Sequence, residues 1–486
     1  MSQSVNNYIL ENKNKINQTF RNKFHLMPTL GWMNDPNGFV YYKGEYHLFY
    51  QYYPYDSVWG PMHWGHAKSK DLIHWEDLPV ALEPGEAYDA DGCFSGSAIV
   101  VEDKLYLLYT GHYERSGERR ETQCLAVSTD GIVFEKYEKN PVISEKQLQK
   151  YGDISDFRDP KVFYREGVFY TVVATKSETN LGRILLFESK DLFDWQFKSI
   201  LLEGKKHQGI MWECPDLFEL DNKDVLIMSP IEMERQGYAY YNINSTVVFV
   251  GKIDWSEGKF SVENYHEIDT GLDFYAPQTC QDDEGNRVMV AWMQMWHRTI
   301  WSHELSHGWS GSMTFPRELS IVENKLIQKP YKTFYDNLNT IFKDNDIRLT
   351  EENIYQNKSL DNFNYLKLQL KTDSAEKVYI ELFGNKVYIK YDVNRNLLTL
   401  TRKNDKYHII GEEAEELNSR TMKVFPKNDV LLIECIIDTS CIELFVNHSD
   451  TMTATYYDNN RLNQVDIHVT SGSSLLESIE ISELKL

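Results

Sequence analysis

The sequence lacks two features that would point to other classes of protein. It has no basic excess: 73 acidic and 51 basic side chains give a formal net charge of −22. Nucleic acid is therefore an unsuitable partner, because its phosphates would be repelled. It also has no run of about 20 apolar residues, the length that spans a membrane. We expect neither nucleic acid nor a membrane as a partner.

An apolar N-terminal segment and paired cysteines are also missing. Residues 1–23 are polar and contain no apolar run of signal-peptide length, so we interpret them as a polar leader. The six cysteines are scattered, without the spacing typical of metal sites. We interpret them as reduced thiols in a cytoplasmic protein. With 486 residues, the chain is expected to divide into two domains.

A two-strand unit recurs along the first two thirds of the chain, with a period of about 60 residues. Each unit is a short hairpin that turns on Gly, Asp or Asn. A second signal, Ser-x-Asp-x-x-x-aromatic, follows three of the hairpins, at 69–75, 128–134 and 189–195. Tandem copies of this kind are typical of propeller blades. The five units, at 38–51, 97–110, 161–174, 216–229 and 278–293, predict a five-bladed β-propeller over 24–330.

The pattern changes after residues 336–339. Short alternating strands follow without the aromatic turn repeat, which is typical of an antiparallel β-sandwich. We expect a linker over 331–348, a sandwich over 349–486 and an all-β fold overall. The strands are predicted at 365–370, 378–383, 387–391, 397–401, 431–437, 441–446 and 465–469.

Three acidic residues precede prolines at the starts of predicted strands. Asp35 and Asp159 are each followed directly by proline, and Glu213 is followed by proline after one residue. Proline drives the preceding residue toward extended backbone and is tolerated at the first residue of a strand. We therefore place the three acids at strand entries in the first, third and fourth blades. A single Asp-Pro pair more often just begins a strand.

The innermost strands of a propeller line its central channel, so acids at equivalent entries converge. Carboxylates held together in a partly dry cleft cannot all ionise alike, so one stays protonated. Glycoside hydrolysis needs this arrangement, because one acid protonates the leaving oxygen while another attacks or activates water. The spacing of the three acids does not show which one attacks.

Four ordered segments carry a family resemblance: 32–38 (WMNDPNG), 94–97 (FSGS), 157–160 (FRDP) and 213–216 (ECPD). They resemble glycoside hydrolase family 32, which comprises invertases, sucrose-6-phosphate hydrolases and fructanases. Segment 440–447 (SCIELFVN) is similar to that family's C-terminal domain. The resemblance thus covers nearly the whole chain.

The resemblance implies a role for each acid. Asp35 would be the nucleophile that forms a fructosyl-enzyme, Glu213 the general acid and then base, and Asp159 the stabiliser of the transition state. The mechanism would be retaining, with the nucleophile and the acid/base about 5 to 5.5 Å apart. Alternation along the strand puts Arg158 on the opposite side from Asp159 unless the backbone twists. We expect Arg158 to bind hydroxyls and to keep a neighbouring carboxylate ionised. The other family positions expected to bind substrate are Asn34, Gln51, Trp59, Phe94, Ser95 and Trp309.

One segment suggests alternative sites. Residues 303–307 read His-Glu-x-x-His, a zinc pattern that works only on a helix. No amphipathic helical run surrounds them, so we predict a rim loop, no metal and no cofactor. His297 and Arg298 could bind a substrate phosphate, although a lone arginine is more often solvated or paired with a carboxylate.

We therefore predict a β-fructofuranosidase acting on sucrose and short fructo-oligosaccharides. Sucrose-6-phosphate hydrolase is the close alternative, because phosphorylated disaccharides arise inside cells. Fructosyltransferase and a non-catalytic sugar-binding propeller are weaker alternatives. The oligomeric state is not readable from the sequence.

Overall fold

The protein is all-β, as predicted. The computed structural model describes residues 4–361, 363–403, 406–413, 417–459 and 461–485. Five small sheets form the first part of the chain and two six-stranded sheets form the second. No helix in these ranges is long and apolar enough to cross a membrane. The helices are short: Val5–Asn12, Glu145–Leu148, Trp301–Glu304 and Lys332–Asp336, with 3-10 turns at Lys13–Lys15, Ile154–Asp156 and Lys206–Gln208.

The five small sheets are the predicted propeller blades. Each predicted hairpin supplies the first two strands of a blade, and the five first strands pack side by side around a central channel. Blade 1 also pairs with a short parallel strand from late in the domain, Trp309–Ser310. Blade 1 contains Gly31–Tyr42, Glu45–Tyr53, His63–Ser69 and Glu76–Leu82; blade 2 Gly92–Val101, Lys104–Arg115, Glu118–Ser128 and Glu135–Lys136; blade 3 Arg158–Arg165, Val168–Lys176, Gly182–Ser189 and Trp195–Glu203; blade 4 Met211–Leu220, Lys223–Ile231, Val247–Asp254 and Lys259–Glu267; blade 5 Tyr275–Gln281, Arg287–Trp292, Arg317–Val322 and Lys325–Pro330.

The Ser-x-Asp repeat forms the turn between the third and fourth strands of a blade. In blade 1, Ser69 Oγ accepts a hydrogen bond from the backbone N–H of Leu72 at 2.8 Å. Asp71 Oδ1 accepts hydrogen bonds from the backbone N–H groups of Ile73 at 2.9 Å and His74 at 2.8 Å. Such side-chain acceptors satisfy a turn's own backbone donors. The same bonds recur in the turns at 128–134 and 189–195.

The two larger sheets form a β-sandwich whose facing sides share one apolar core. All seven strands predicted there are present, and five more were missed. The first sheet runs in the order Leu338–Thr350, Ser473–Leu484, Asn364–Lys371, Val430–Asp438, Cys441–Val446, Asp450–Thr455; the second runs Tyr355–Asn357, Val465–Thr470, Lys377–Leu382, Val387–Asp392, Leu397–Arg402, Ser419–Lys423.

The linker predicted over 331–348 needs correction. Residues Lys332–Asp336 form a helix, and Leu338–Thr350 is an edge strand that pairs antiparallel with Ser473–Leu484. The strand escaped prediction because an edge strand buries little: of its 13 residues, only Leu349 is fully buried. Its sequence therefore lacks the apolar alternation by which strands are recognised.

Buried charges join the sandwich to the propeller. Arg317 of blade 5 pairs with Asp269 at 2.9 Å and with Glu443 of the sandwich at 2.6 Å. His25, ahead of blade 1, lies between Asp438 and Glu443 at 2.8 and 2.9 Å. These carboxylates thus hold both ends of the propeller chain against the sandwich.

Candidate active site

A β-bulge interrupts the start of the innermost strand in every blade. The pairing with the second strand shifts register between Met33 and Pro36 in blade 1 and at the equivalent place in the other four. A bulge bends a strand and re-aims its side chains. The five bulges surround one end of the central channel.

Three residues in these bulges have left-handed backbone. Asp159, Cys214 and Ala276 have φ angles of 65°, 49° and 50°, although each precedes a proline, which favours extended backbone. Such φ values are uncommon outside glycine and concentrate at functional sites. At Asp159 the turn cancels the alternation of the strand, so that Arg158 and Asp159 both face the channel. The sequence had left this point open.

The bulges enclose a pocket of about 170 Å³ that contains nine of the ten predicted site residues. Typical ligand pockets measure roughly 300 to 1,000 Å³, so this one suits a single sugar ring. Two further residues, Arg119 and Trp296, were not predicted. The lining consists of Asn34, Asp35, Gln51, Trp59, Phe94, Ser95, Arg119, Arg158, Asp159, Glu213 and Trp296.

Asp35 lies on the pocket floor with its carboxylate held by neutral donors. Its Oδ1 accepts a hydrogen bond from Asn34 Nδ2 at 3.1 Å, and its Oδ2 accepts one from Ser95 Oγ at 2.8 Å. The Cys214 thiol lies 3.4 Å from the same Oδ2. These bonds orient the carboxylate and favour its ionised form.

Asp159 lies next to the same thiol. Its Oδ2 accepts the backbone N–H of Cys214 at 2.9 Å and lies 3.6 Å from the sulfur, so Cys214 bridges Asp159 and Asp35. The backbone N–H of Asp159 donates to Thr110 Oγ1 at 2.9 Å. Blades 1, 2, 3 and 4 thus position the two aspartates together.

Glu213 is held by a cation on one side and a phenol on the other. Its Oε1 accepts from Arg158 Nη2 at 3.0 Å and Nε at 3.2 Å, and its Oε2 accepts from the Tyr275 hydroxyl at 2.5 Å. Its side chain is 19% exposed and is therefore the most open of the three acids. Arg158 also donates to Glu121 at 2.9 Å and Asp156 at 2.8 Å.

The crowding of acids perturbs their protonation. Burial, reinforced by Glu213, raises the pKa of Asp35 above its ordinary value. Burial raises the pKa of Asp159 to about 8, with Glu213 and Asp35 adding to the effect and Arg158 opposing it. Burial and the mutual repulsion of these carboxylates therefore favour keeping a proton within the cluster.

The remaining predicted residues form the wall around these acids. Gln51 Nε2 donates to the carbonyl of Cys93 at 3.0 Å, which orients its amide beside the floor. Phe94 stacks on His112 at 4.0 Å, and Trp59 meets its edge at 6.0 Å. Trp59 remains 47% exposed and stands at the mouth, where an apolar sugar face can stack.

Trp309 was predicted to bind substrate, but it lies outside the pocket. It is 3% exposed, its Nε1 donates to the carbonyl of Asn17 at 2.9 Å, and Arg21 covers its ring. The parallel pairing of Trp309–Ser310 with blade 1 turns the indole toward the N-terminal segment. Trp296, which stacks on Trp32 at 6.0 Å, occupies the pocket wall instead.

Arg298 does not have a free guanidinium for a phosphate. It is buried against Asp273 at 3.2 Å and against Glu413 and Asn242, the carboxylate-paired arrangement named as its alternative. His297 is largely exposed and lies 3.5 Å from Glu412.

The His-Glu-x-x-His segment begins within the four-residue helix Trp301–Glu304, a small departure from the predicted loop. His303 bonds Ser57 at 2.8 Å, whereas His307 stacks on Phe20 at 5.6 Å. The two imidazoles thus have separate surroundings. Within the described ranges, no cluster of three or more His, Cys, Asp or Glu side chains is arranged to hold a metal.

A larger cavity of about 1,020 Å³ lies further along the same innermost strands, away from the three acids. Its wall includes Phe39, Ala98, Val162, Leu217 and Cys280, one residue from each inner strand. It is the other end of the channel. The chemistry belongs to the small pocket, because the carboxylates and their donors meet there.

Four residues of the site were not predicted as site residues: Arg119, Glu121, Tyr275 and Trp296. Arg119, Glu121 and Trp296 come from segments without a strand-entry proline. Tyr275 did carry a signal, because it stands two residues before Pro277 as Glu213 stands before Pro215. At the start of its innermost strand, blade 5 therefore has a tyrosine at the position where blade 4 has Glu213.

Two family models match the chain. "Glycosyl hydrolases family 32 N-terminal domain" matches residues 25–330, and "Glycosyl hydrolases family 32 C terminal" matches residues 334–483. Together they cover most of the sequence.

Curated relatives match over nearly their whole length. A sucrose-6-phosphate hydrolase of Escherichia coli is 36% identical over 94% of both chains, and a raffinose invertase of Escherichia coli is 34% identical over 93% of both. Among solved structures, a family 32 beta-fructofuranosidase of Bombyx mori, a variant in complex with sucrose, is 34% identical with a TM-score of 0.84. The match covers 99% of this chain and 97% of that one.

Proposed function

The chain belongs to glycoside hydrolase family 32, and from that premise we propose that it hydrolyses the terminal β-D-fructofuranosyl bond of sucrose and of short fructo-oligosaccharides. One observation carries the proposal: Asp35, Asp159 and Glu213 come from three blades and line one pocket. A pocket with three acids and aromatic walls suits sugar hydrolysis. The reaction needs only these side chains and water, without a cofactor.

Asp35 is the proposed nucleophile. It attacks the anomeric carbon of the fructosyl unit, and the bond to the leaving oxygen breaks as a fructosyl-enzyme forms. The bonds from Asn34 and Ser95 support this role, because they orient the carboxylate and favour its ionised form against the effect of burial.

Glu213 is the proposed acid and base. It gives its proton to the leaving oxygen and then removes a proton from the water that releases fructose and frees Asp35. Its partial exposure supports this assignment, since the group must exchange protons with water. Arg158 and Tyr275 orient its two oxygens.

Asp159 is the proposed transition-state stabiliser. Its carboxyl group is free to bind fructose hydroxyls on the side that faces away from Cys214, as positive charge develops on the ring. Asn34, Gln51, Phe94, Ser95, Trp59 and Arg158 are the proposed substrate contacts, with Trp296 in place of Trp309.

Asp35→Ala tests the proposal most simply. Hydrolysis of sucrose should fall by at least about a thousandfold, whereas Asp194→Ala, at an exposed acid in blade 3, should leave it unchanged. Proton NMR of the first fructose released should show the anomer retained. Normal turnover by Asp35→Ala would refute the nucleophile, and inverted product would refute the fructosyl-enzyme.

Sucrose 6-phosphate is the second candidate substrate. The names of several curated relatives favour it, and the six unpaired thiols support a reducing compartment such as the cytoplasm, where sugar phosphates occur. Comparing kcat/KM on sucrose and sucrose 6-phosphate separates the two candidates.

A further inference from the structure

The mouth of the pocket carries one cation that the proposed chemistry does not use. Arg119 lies on Glu118–Ser128 in blade 2 and lines the pocket together with Trp59 and Trp296. Its side chain is 38% exposed, whereas Arg158, the other cation of the lining, is 9% exposed and lies at the floor. Arg119 therefore stands where a substrate enters and a leaving group departs.

Arg119 is anchored at one end of its guanidinium and open at the other. Nη2 donates to Glu121 Oε1 at 2.8 Å, and the nearest other carboxylate, Asp156, is 3.9 Å away. Within the described residues, its Nε is buried and has no hydrogen-bond partner. A buried donor without an acceptor costs free energy that a bound anion would recover.

Arg158 is paired with more carboxylates at 3.0 Å or less than Arg119 is. Arg158 contacts three carboxylates, those of Glu121, Asp156 and Glu213. Arg119 donates a hydrogen bond to Glu121, which accepts from Arg158 through its other oxygen, and Asp156 lies 3.9 Å from Arg119. Glu121 thus positions the Arg119 guanidinium through Nη2 and leaves other N–H groups of the guanidinium able to bind an anion.

The reaction direction places the leaving group beside this cation. The fructosyl unit must reach Asp35 on the floor, and Glu213 protonates the oxygen on the outward side, so the glucosyl part lies toward the mouth. A phosphate on that part would meet a protein of net charge −22 and three carboxylates below it. Without a local cation, such a substrate would be repelled.

We propose that Arg119 is a specificity-determining residue that binds the phosphate of a phosphorylated glucosyl leaving group, as in sucrose 6-phosphate. This inference rests on the proposed function, because it assumes that the pocket cleaves the fructosyl bond. A guanidinium binds phosphate oxygens in pairs, which gives it both strength and orientation.

The neighbouring arginine provides a matched control. Arg120 follows on the same strand, points to the opposite face and is 41% exposed, nearly as open as Arg119. It stacks over Tyr113 at 4.8 Å, lies 3.5 Å from Glu118 and does not line the pocket. Neutralising either residue changes the net charge equally.

The experiment measures kcat and KM on sucrose 6-phosphate and on sucrose for the wild type, Arg119→Gln, Arg119→Lys and Arg120→Gln. Arg119→Gln should lower the ratio of the two kcat/KM values, phosphorylated over plain, by about 10- to 100-fold. Most of that loss should appear in KM for the phosphorylated substrate. Arg119→Lys should recover part of the ratio, and Arg120→Gln should keep it within twofold of the wild type.

The inference is overturned if the ratio of the two kcat/KM values is unchanged in Arg119→Gln, or is lowered equally in Arg120→Gln. Either result leaves sucrose hydrolysis, and therefore the proposed function, intact. Failure of the wild type on both substrates refutes the proposed function itself. Product inhibition of the wild type tests the site without any variant. Glucose 6-phosphate should inhibit sucrose hydrolysis at least about tenfold more strongly than glucose, less so at high salt; equal inhibition would overturn the inference.

Discussion

Asp159→Asn should stabilise the folded protein at neutral pH while it removes activity. Asp159 is 6% exposed, yet the only described groups that donate hydrogen bonds to its carboxylate are the backbone and thiol of Cys214. The asparagine side chain has the same shape and keeps an oxygen to accept the backbone N–H. Arg158 still has Glu121, Asp156 and Glu213 as counter-charges. The substitution therefore removes the free-energy cost of protonating this buried acid without leaving an unpaired cation.

The magnitude comes from the pKa of this carboxyl group, which burial raises from 3.8 to about 8. At about 1.4 kcal/mol for each pKa unit, the upper bound on the destabilisation is roughly 6 kcal/mol. Because Asp35 and Glu213 share the proton and the pocket admits water, we expect about 2 kcal/mol. For a chain of this length, that free energy corresponds to about 2 °C in Tm.

The sign of the pH dependence follows from the same shift. Between pH 4 and 8 the folded state holds a proton on Asp159 that the unfolded state has released, so wild-type stability falls as the pH rises through this window. Asp159→Asn lacks that loss. The two proteins should have nearly equal Tm near pH 4. The Tm of the variant should then exceed that of the wild type by an amount that grows steadily up to pH 8.

Tryptophan fluorescence during thermal unfolding, recorded from pH 4 to 8, provides the assay. Asp273→Asn is the matched control: Asp273 is fully buried, but Arg402 and Arg298 overcome the effect of burial and hold its pKa below the usual value. That variant should be less stable than the wild type at neutral pH. A Tm of Asp159→Asn that does not exceed the wild type at pH 8, or a difference independent of pH, would refute this electrostatic reasoning.

Other substitutions test separate parts of the site and its support. Tyr275→Phe removes the hydrogen bond to Glu213 and should lower kcat about tenfold with little change in KM, measured on sucrose. Trp296→Ala should raise KM for sucrose, because Trp296 lines the pocket. Trp309→Phe should lower Tm and leave KM unchanged, because the Trp309 indole bonds Asn17 outside the pocket. A raised KM in Trp309→Phe with no change in Trp296→Ala would restore the predicted role of Trp309. Glu443→Gln deprives Arg317 and His25 of a shared carboxylate and should cost about 3 kcal/mol in urea unfolding; a loss below about 1 kcal/mol would contradict the importance of this contact.

The propeller could be predicted because its signals are local. Each hairpin turns within a few residues, and each Ser-x-Asp turn is closed by its own backbone amides, as at Ser69 and Asp71. The edge strand Leu338–Thr350 was missed for the opposite reason. Its stability comes from hydrogen bonds to Ser473–Leu484, more than 100 residues away, and its exposed side chains leave no pattern.

The acids of the site could be located because proline marks the strand entries, but their partners could not. Glu121 of blade 2 contacts Arg158 of blade 3, and Tyr275 of blade 5 contacts Glu213 of blade 4. The bulges that turn Arg158 and Asp159 to one side depend on tertiary packing, and Asp159 adopts a left-handed backbone that the following proline disfavours. Sequence patterns also gave no means of seeing that Arg298 is enclosed by Asp273 and Glu413.

Trapping the covalent intermediate tests the central claim most directly. Glu213→Gln, which should release the fructosyl unit slowly, is mixed with β-fructosyl fluoride, whose fluoride leaves without a proton donor, then quenched in acid, digested and analysed by mass spectrometry. We predict one added hexosyl unit on the peptide that contains Asp35, absent from Asp35→Ala treated in the same way. A hexosyl unit on any other carboxylate, or inverted fructose produced without a modified peptide, would contradict the account.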